Sequence, residues 1–292
     1  MNEIVESIVN KIDELFIRHY IELDLAKDLV VKIRTQAEHG SYNTLDLDKL
    51  TVILTKDLQS ITKDKHVRVR RKAVNELSQQ LTPEAARKVN NGFYKAEILD
   101  DNIGYIDFRL FYPTAWAAET GAAAMKFIAN TDALIIDLRK NGGGDPEMVA
   151  FMCSYFFEER THLNDLYCRE QDSTEQFWTV YVPGPLYVDK PLYILTSSYT
   201  FSGAEEFSYN LKNLNRARII GETTKGGANP GSWHVLPEGL EIFVPIAKSI
   251  NPITKDNWEG KGVVPHVKIL ADKALTVALK EIRAKLIEKK EV

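Results

Sequence analysis

The sequence predicts an α/β protein with a helical N-terminal region. Three observations support this prediction. Apolar residues recur at helical spacing over residues 3–60, and short apolar runs alternate with helical patterns from about residue 61. An amphipathic helical pattern also fills residues 272–290. With 292 residues, the chain is long enough for one large domain or two modest ones.

Three helices are predicted within residues 3–60. The first carries an apolar stripe that begins at Ile4, the second ends near Gly40, and the third begins after Asp46, a plausible N-cap. Short connections favour a small bundle. We therefore predict a helical bundle over residues 1–60 and an α/β domain over residues 61–292.

Strands and helices alternate in the remainder of the chain. The predicted strands cover residues 66–70, 93–99, 103–108, 133–138, 192–195 and 218–220. Helices are predicted over 114–129, after the Asp145-Pro146 pair and after Ser202. Residues 155–190 fit either loops facing a substrate or an edge hairpin, and the pattern does not decide between them.

Composition excludes several classes of function. The net charge of -4 argues against a nucleic-acid-binding surface. The N-terminus shows no signal-peptide pattern, and no apolar run is long enough to span a bilayer, so a cytoplasmic protein is expected. Cys153 and Cys168 match no metal spacing and are expected to be reduced. Neither a metal nor an organic cofactor is expected, and homo-oligomer formation stays open.

The most informative motif is the polar turn that follows the predicted strand 192–195. It ends at Ser202-Gly203, where a helix is predicted to begin. That position puts a serine hydroxyl at the positive end of a helix beside free backbone N–H groups, as a covalent hydrolase requires. With Glu205 three residues later, the same residues also fit a helix capping box, and the motif alone favours the cap.

Three further features could contribute to chemistry. The turn Asn141–Gly144 offers backbone N–H groups for an oxyanion, although a plain tight turn explains it equally well. His66 lies at a loop-to-strand junction, and His234 is a rival base. Glu259 could orient a histidine from its glycine-rich loop, or it could be a solvated carboxylate.

The order of these residues along the chain resembles one protein family. His66, the glycine turn, Ser202 and Glu259 follow one another as in the tail-specific, or C-terminal-processing, serine proteases. The similarity is closest to the branch related to interphotoreceptor retinoid-binding protein and the tricorn protease core. It also covers Asn102-Ile-Gly-Tyr, and it spans nearly the whole chain.

The resemblance implies a crotonase-like fold of stacked β-β-α units after the helical bundle. It implies that Ser202 is the nucleophile, that His66 is the general base and that Glu259 is the orienting acid. The backbone N–H of Gly203 and one from the Gly142-Gly143 turn would form the oxyanion hole.

The sequence departs from the family pattern at several positions. A lysine base would stand 25 residues after the serine, where this chain has Gly227, and Lys225 is two residues early. Lys65 replaces a family glycine beside His66. Only about 20 residues separate the strand at His66 from the next strand, which is too few for a PDZ domain.

The predicted function is therefore a serine peptidase that acts on peptides or unfolded proteins. Two alternatives remain. The chain could be a non-catalytic module that binds a retinoid or fatty acid beside aromatic residues such as Tyr199, Phe201, Trp233 and Trp258. It could also be an esterase that uses the same triad.

Overall fold

The computed structural model describes residues 3–43, 46–72 and 82–290. The chain forms two compact units. The first consists of Met1–Gln80, Leu166–Glu175 and Asn229–Ser249, and the second of Leu81–Asp165, Gln176–Ala228 and Ile250–Val292. Each unit is assembled from three segments, and the domain division at residue 61 stays a prediction.

The described residues contain eight α-helices and twelve β-strands. The helices are α1 (Glu3–His19), α2 (Leu23–Glu38), α3 (Leu47–Thr62), α4 (Pro83–Lys88), α5 (Thr114–Phe127), α6 (Pro146–Ser154), α7 (Gly203–Asn213) and α8 (Ala271–Lys290). The strands are β1 (Arg68–Arg71), β2 (Phe93–Leu99), β3 (Ile103–Phe108), β4 (Ala133–Asp137), β5 (His162–Cys168), β6 (Ser173–Trp178), β7 (Leu192–Thr196), β8 (Arg218–Gly221), β9 (Gly231–Leu236), β10 (Leu240–Pro245), β11 (Ala247–Ile250) and β12 (Val267–Lys268).

The first unit combines helices α1–α3 with a small antiparallel sheet of order β1-β10-β9. Ile12 and Phe16 of α1 are fully buried in a core that also contains Leu54 of α3 and Ile242 of β10. Asp46 caps α3 as predicted, because its side chain accepts hydrogen bonds from two backbone N–H groups of the first turn. The three predicted N-terminal helices are confirmed.

The second unit contains a six-stranded sheet of order β12-β8-β7-β4-β3-β2. Strand β2 is antiparallel to β3, and the neighbouring pairs from β3 to β12 are parallel. Every residue of β4 and β7 is buried, which explains why both read as unbroken apolar runs. Helix α8 packs Ala274, Ala278 and Ile282 against the sheet.

This topology brings two turns of the second unit together. Strands β4 and β7 are parallel neighbours, so the segments that follow them leave the same edge of the sheet. The glycine turn Asn141–Gly144 follows β4, and the polar turn before Ser202 follows β7. The α/β class with a helical N-terminal region is thus confirmed, whereas the crotonase-like assignment stays a prediction.

Residues 155–190 contain two strands rather than loops alone. Strands β5 and β6 are neighbours in a three-stranded sheet of order β11-β5-β6, with β6 at its edge. The structure therefore decides the open choice in favour of the edge hairpin.

Among the helices of the described residues, none is both long and apolar enough to cross a membrane.

Candidate active site

Ser202 has an unusual backbone conformation immediately before α7. Its φ of 53° and ψ of -123° lie in a region that L-residues seldom adopt. The preceding turn is fixed to the chain after β4: the Ser197 hydroxyl donates to the Arg139 carbonyl, and the Thr200 hydroxyl donates to the Leu138 carbonyl. A sharp turn between a strand and a helix, with strain at a serine, is a frequent arrangement for a nucleophile.

The glycine turn lies directly against Ser202. A methyl group on Gly143 would come within 2.7 Å of both the Phe201 carbonyl oxygen and the Ser202 Cβ, and the φ of Gly143 is +103°. Only glycine fits this position. The Asn141 side chain holds the turn, because its amide donates to the Phe108 carbonyl and its oxygen accepts the Gly143 N–H at 2.8 Å.

The backbone N–H groups around Ser202 differ in their hydrogen bonds. The Gly143 N–H donates to Asn141, and the Ser202 N–H donates to the Glu205 carboxylate at 2.9 Å. Within the described parts of the chain, the N–H groups of Gly142 and Gly203 have no acceptor. Because Gly203 is the first residue of α7, its N–H lies at the positive end of that helix.

Glu205 connects this turn to a second loop. Its buried carboxylate accepts the N–H groups of Ser202, Gly226 and Gly227 and the hydroxyl of Thr224. Burial raises the pKa of Glu205 to about 7, although the four hydrogen bonds act in the opposite direction. The sequence indicated only a capping residue here, and its Ser-x-x-Glu spacing was the available signal.

Glu259 lies in a well-packed loop of the second unit. It is half-buried, accepts the Ala228 N–H and donates its own N–H to the Asn257 side chain at 2.9 Å. The neighbouring Trp258 is fully buried and donates its indole N–H to the Gly227 carbonyl at 2.7 Å. A packed loop with these contacts fixes the carboxylate, in contrast to the alternative of a solvated loop acid.

His66 belongs to the first unit and lies just before β1. The side chain is only 8% exposed, and its ring stacks on Phe243 with 5.9 Å between centroids. The buried Asp64 carboxylate accepts the backbone N–H of His66 at 2.9 Å and the Asn229 side-chain amide at 3.0 Å. The loop before β1 is therefore held by a buried acid, whereas the neighbouring Lys65 is exposed.

His234, the rival base, has a different environment in the first unit. Its Nε2 lies 3.0 Å from the Ser232 hydroxyl, and its ring stacks on His19 at 4.9 Å. Burial and the neighbouring His19 lower the pKa of His234. The structure thus places the predicted residues as follows: His66 in the first unit, and Ser202, Gly203, Gly142, Gly143 and Glu259 in the second.

Two protein-family models match this chain. Residues 102–269 match the model of peptidase family S41, and residues 1–104 match the N-terminal domain of that family in eukaryotic IRBP. A carboxyl-terminal-processing protease of Synechocystis sp. is 28% identical over 159 residues, which cover 53% of this chain and 36% of the relative. The chain therefore matches about a third of the length of this curated relative.

Two solved structures share the fold across nearly the whole chain. A candidate peptidase from Parabacteroides merdae has a TM-score of 0.69 at 16% identity and covers 96% of this chain and 97% of its own. The tricorn protease has a TM-score of 0.61 at 15% identity and covers 100% of this chain and 37% of its own. Ser202 and the glycine turn both lie within the residues that match the peptidase family model. The chain belongs to peptidase family S41, as the resemblance in the sequence indicated.

Proposed function

We propose that this chain is a serine peptidase that cleaves peptides or unfolded proteins through an acyl-enzyme on Ser202. The observation that carries the proposal is the strained backbone of Ser202 at the start of α7, packed against Gly143. A plain N-cap has an extended backbone and needs no such strain. The conformation therefore favours a nucleophile over a cap alone.

The proposed reaction uses a base and an orienting acid. His66 takes the hydroxyl proton as the Ser202 oxygen bonds to the carbonyl carbon, and then gives that proton to the leaving amine as the C–N bond breaks. Water then attacks the acyl carbon as His66 takes a proton from it. The bond between the acyl carbon and the Ser202 oxygen breaks as His66 returns that proton to the serine oxygen. Glu259 holds the histidine tautomer and offsets the imidazolium charge. The contacts of His66 and Glu259 support these roles, because the His66 ring stacks on Phe243 and the Glu259 carboxylate accepts the Ala228 N–H.

Two backbone groups are proposed to bind the oxyanion. Gly203 and Gly142 both offer N–H groups without an acceptor among the described residues, whereas the Gly143 N–H donates to Asn141. Within the predicted pair Gly142-Gly143, we therefore favour Gly142 as the donor. The loss of one such donor typically lowers turnover by roughly 10²–10³-fold.

Lys225 is not the base in this proposal. Its backbone N–H donates to the Thr200 carbonyl, and its ammonium lies 4.7 Å from the centroid of the Phe201 ring. This contact supports a structural role for Lys225 beside the turn.

The test is fluorophosphonate labelling with intact-mass detection. We expect wild type to gain one label, Ser202→Ala to gain none and His66→Ala to label much more slowly, while Lys225→Ala keeps labelling. The exposed Ser198 of the same turn gives the matched control Ser198→Ala, which should label like wild type. Loss of labelling in Lys225→Ala but not in His66→Ala would contradict the proposed base.

The remaining functions give other outcomes in the same experiment. A ligand-binding module would fold normally, would not label and would take up a fatty acid or retinoid analogue. An esterase would label on Ser202 but would cleave ester substrates and leave peptides intact. Trp258 does not favour the binding module, because its buried ring already packs on Tyr209 at 5.3 Å.

A further inference from the structure

One face of β1 carries the side chains of Arg68 and Arg70, because side chains alternate along a strand. His66 lies in the turn before β1, and its ring stacks on Phe243, the cross-strand partner of Arg68. Val67 and Val69 are buried in the core of the first unit. Arg68 is exposed to solvent and lies two residues after the proposed base in the chain.

Two aromatic rings connect Arg68 with His66. Arg68 is paired with Phe243 on β10, and Phe243 is paired with Trp233 on β9. The Trp233 and Phe243 rings meet edge-on at 5.4 Å, and the Phe243 ring stacks on His66. The Arg68 guanidinium lies 5.1 Å from the Trp233 ring centroid. An aromatic contact of this kind orients a guanidinium and leaves its N–H donors available.

Arg68 differs from the other two arginines of β1 in its charge partners. Arg70 pairs with Glu241, and Arg71 pairs with Asp48 at 2.6 Å. Among the described residues, Arg68 has no carboxylate partner.

We propose that Arg68 binds a carboxylate of the substrate next to the cleaved bond and so determines specificity. This inference rests on the proposed peptidase function, with His66 at the reaction centre. Two residues of chain span at most about 7 Å, which is also the reach of about two residues of an extended peptide. The carboxylate therefore belongs either to an acidic side chain within about two residues of the cleaved bond or to the C-terminus of a short product.

The binding experiment uses the Ser202→Ala protein, so that no peptide is consumed. Fluorescein-labelled nonapeptides carry a central Glu with an amidated C-terminus, a central Gln with a free C-terminus, or a central Gln with an amidated C-terminus. Anisotropy gives Kd for Ser202→Ala alone and with Arg68→Gln or the control Arg71→Gln. Arg71 lies on the same strand but already has a carboxylate partner.

We expect one or both carboxylate peptides to bind about tenfold or more tightly than the neutral peptide, because a guanidinium–carboxylate pair forms charge-assisted hydrogen bonds. Arg68→Gln should remove this advantage, and Arg71→Gln should keep it. The peptide that shows the advantage identifies the source of the carboxylate. Equal binding of all three peptides, absence of binding, or an advantage that survives Arg68→Gln would overturn the proposal.

Labelling of the Ser202-containing protein by fluorophosphonate is measured alongside the binding experiment. The two results separate the two proposals. A protein that fails to label but shows Arg68-dependent binding has the carboxylate site without the hydrolase. A protein that labels but shows no Arg68-dependent difference is a hydrolase whose specificity lies elsewhere.

Discussion

Replacement of Glu205 by glutamine should change how stability depends on pH. Burial raises the pKa of Glu205 from its ordinary 4.5 to about 7, so the folded protein binds this proton more tightly than the unfolded chain. Ionisation of Glu205 therefore costs stability as pH rises from about 4.5 to about 7, and the loss persists above that range. The separation of the two pKa values corresponds to about 3 kcal/mol. Glutamine has no proton to lose, so the variant should lack this loss.

The assay is urea unfolding of wild type and Glu205→Gln at pH 5 and pH 8. We expect the free energy of unfolding of wild type, relative to the variant, to fall by about 2.5 kcal/mol between the two pH values, because part of the loss has already occurred at pH 5. Glu206, whose pKa burial raises to about 8, is present in both proteins, so its direct contribution largely cancels. Glu119→Gln on the exposed side of α5 provides the baseline for a surface carboxyl.

The opposite result would refute this reasoning. If wild type gains stability relative to Glu205→Gln as pH rises, the four donors that contact the carboxylate outweigh its burial. Glu205 would then stay ionised while it accepts the Ser202 N–H. A difference that does not vary between pH 5 and pH 8 would show that the pKa of Glu205 is not raised in the folded protein above its unfolded value.

Three other substitutions test the packing within each unit by thermal and urea unfolding. Gly143→Ala should lower the free energy of unfolding by about 3 kcal/mol or more, because the added methyl group meets backbone 2.7 Å away at positive φ. Gly142→Ala has room for the methyl group and should have a much smaller effect. Equal losses at the two positions would contradict this account. Trp258→Phe should lower the free energy of unfolding by about 2–4 kcal/mol, because the buried Gly227 carbonyl loses its indole donor. An unchanged unfolding midpoint would show that this hydrogen bond does not stabilise the fold. Ile12→Ala should cost about 2–5 kcal/mol, and Val31→Ala, which is 65% exposed, should change stability by at most about 0.5 kcal/mol. Comparable effects at these two positions would contradict the described core.

The helices and the central strands were predictable because local patterns determine them. Apolar spacing located α1–α3, and the unbroken apolar runs located β4 and β7. Caps were equally local: Asp46 and Asp145 each bond the N–H groups of the turn that follows, as their positions before helices indicated. Residues 155–190 were not predictable in this way, because β6 is largely exposed and the two buried residues of β5 are consecutive, so neither strand shows an alternating apolar pattern.

The sequence by itself determined which residues could react, because Ser202, His66 and Glu259 carry that chemistry in their side chains and follow a recognisable order. Only the tertiary structure decided how the turn at Ser202 is built. Its strained backbone, the contact with Gly143 and the four hydrogen bonds to Glu205 join segments up to about 60 residues apart in the chain. The contact with Gly143 depends on the parallel pairing of β4 with β7, and the bonds from Gly226 and Gly227 to Glu205 depend on the parallel pairing of β7 with β8. No local sequence pattern encodes these pairings.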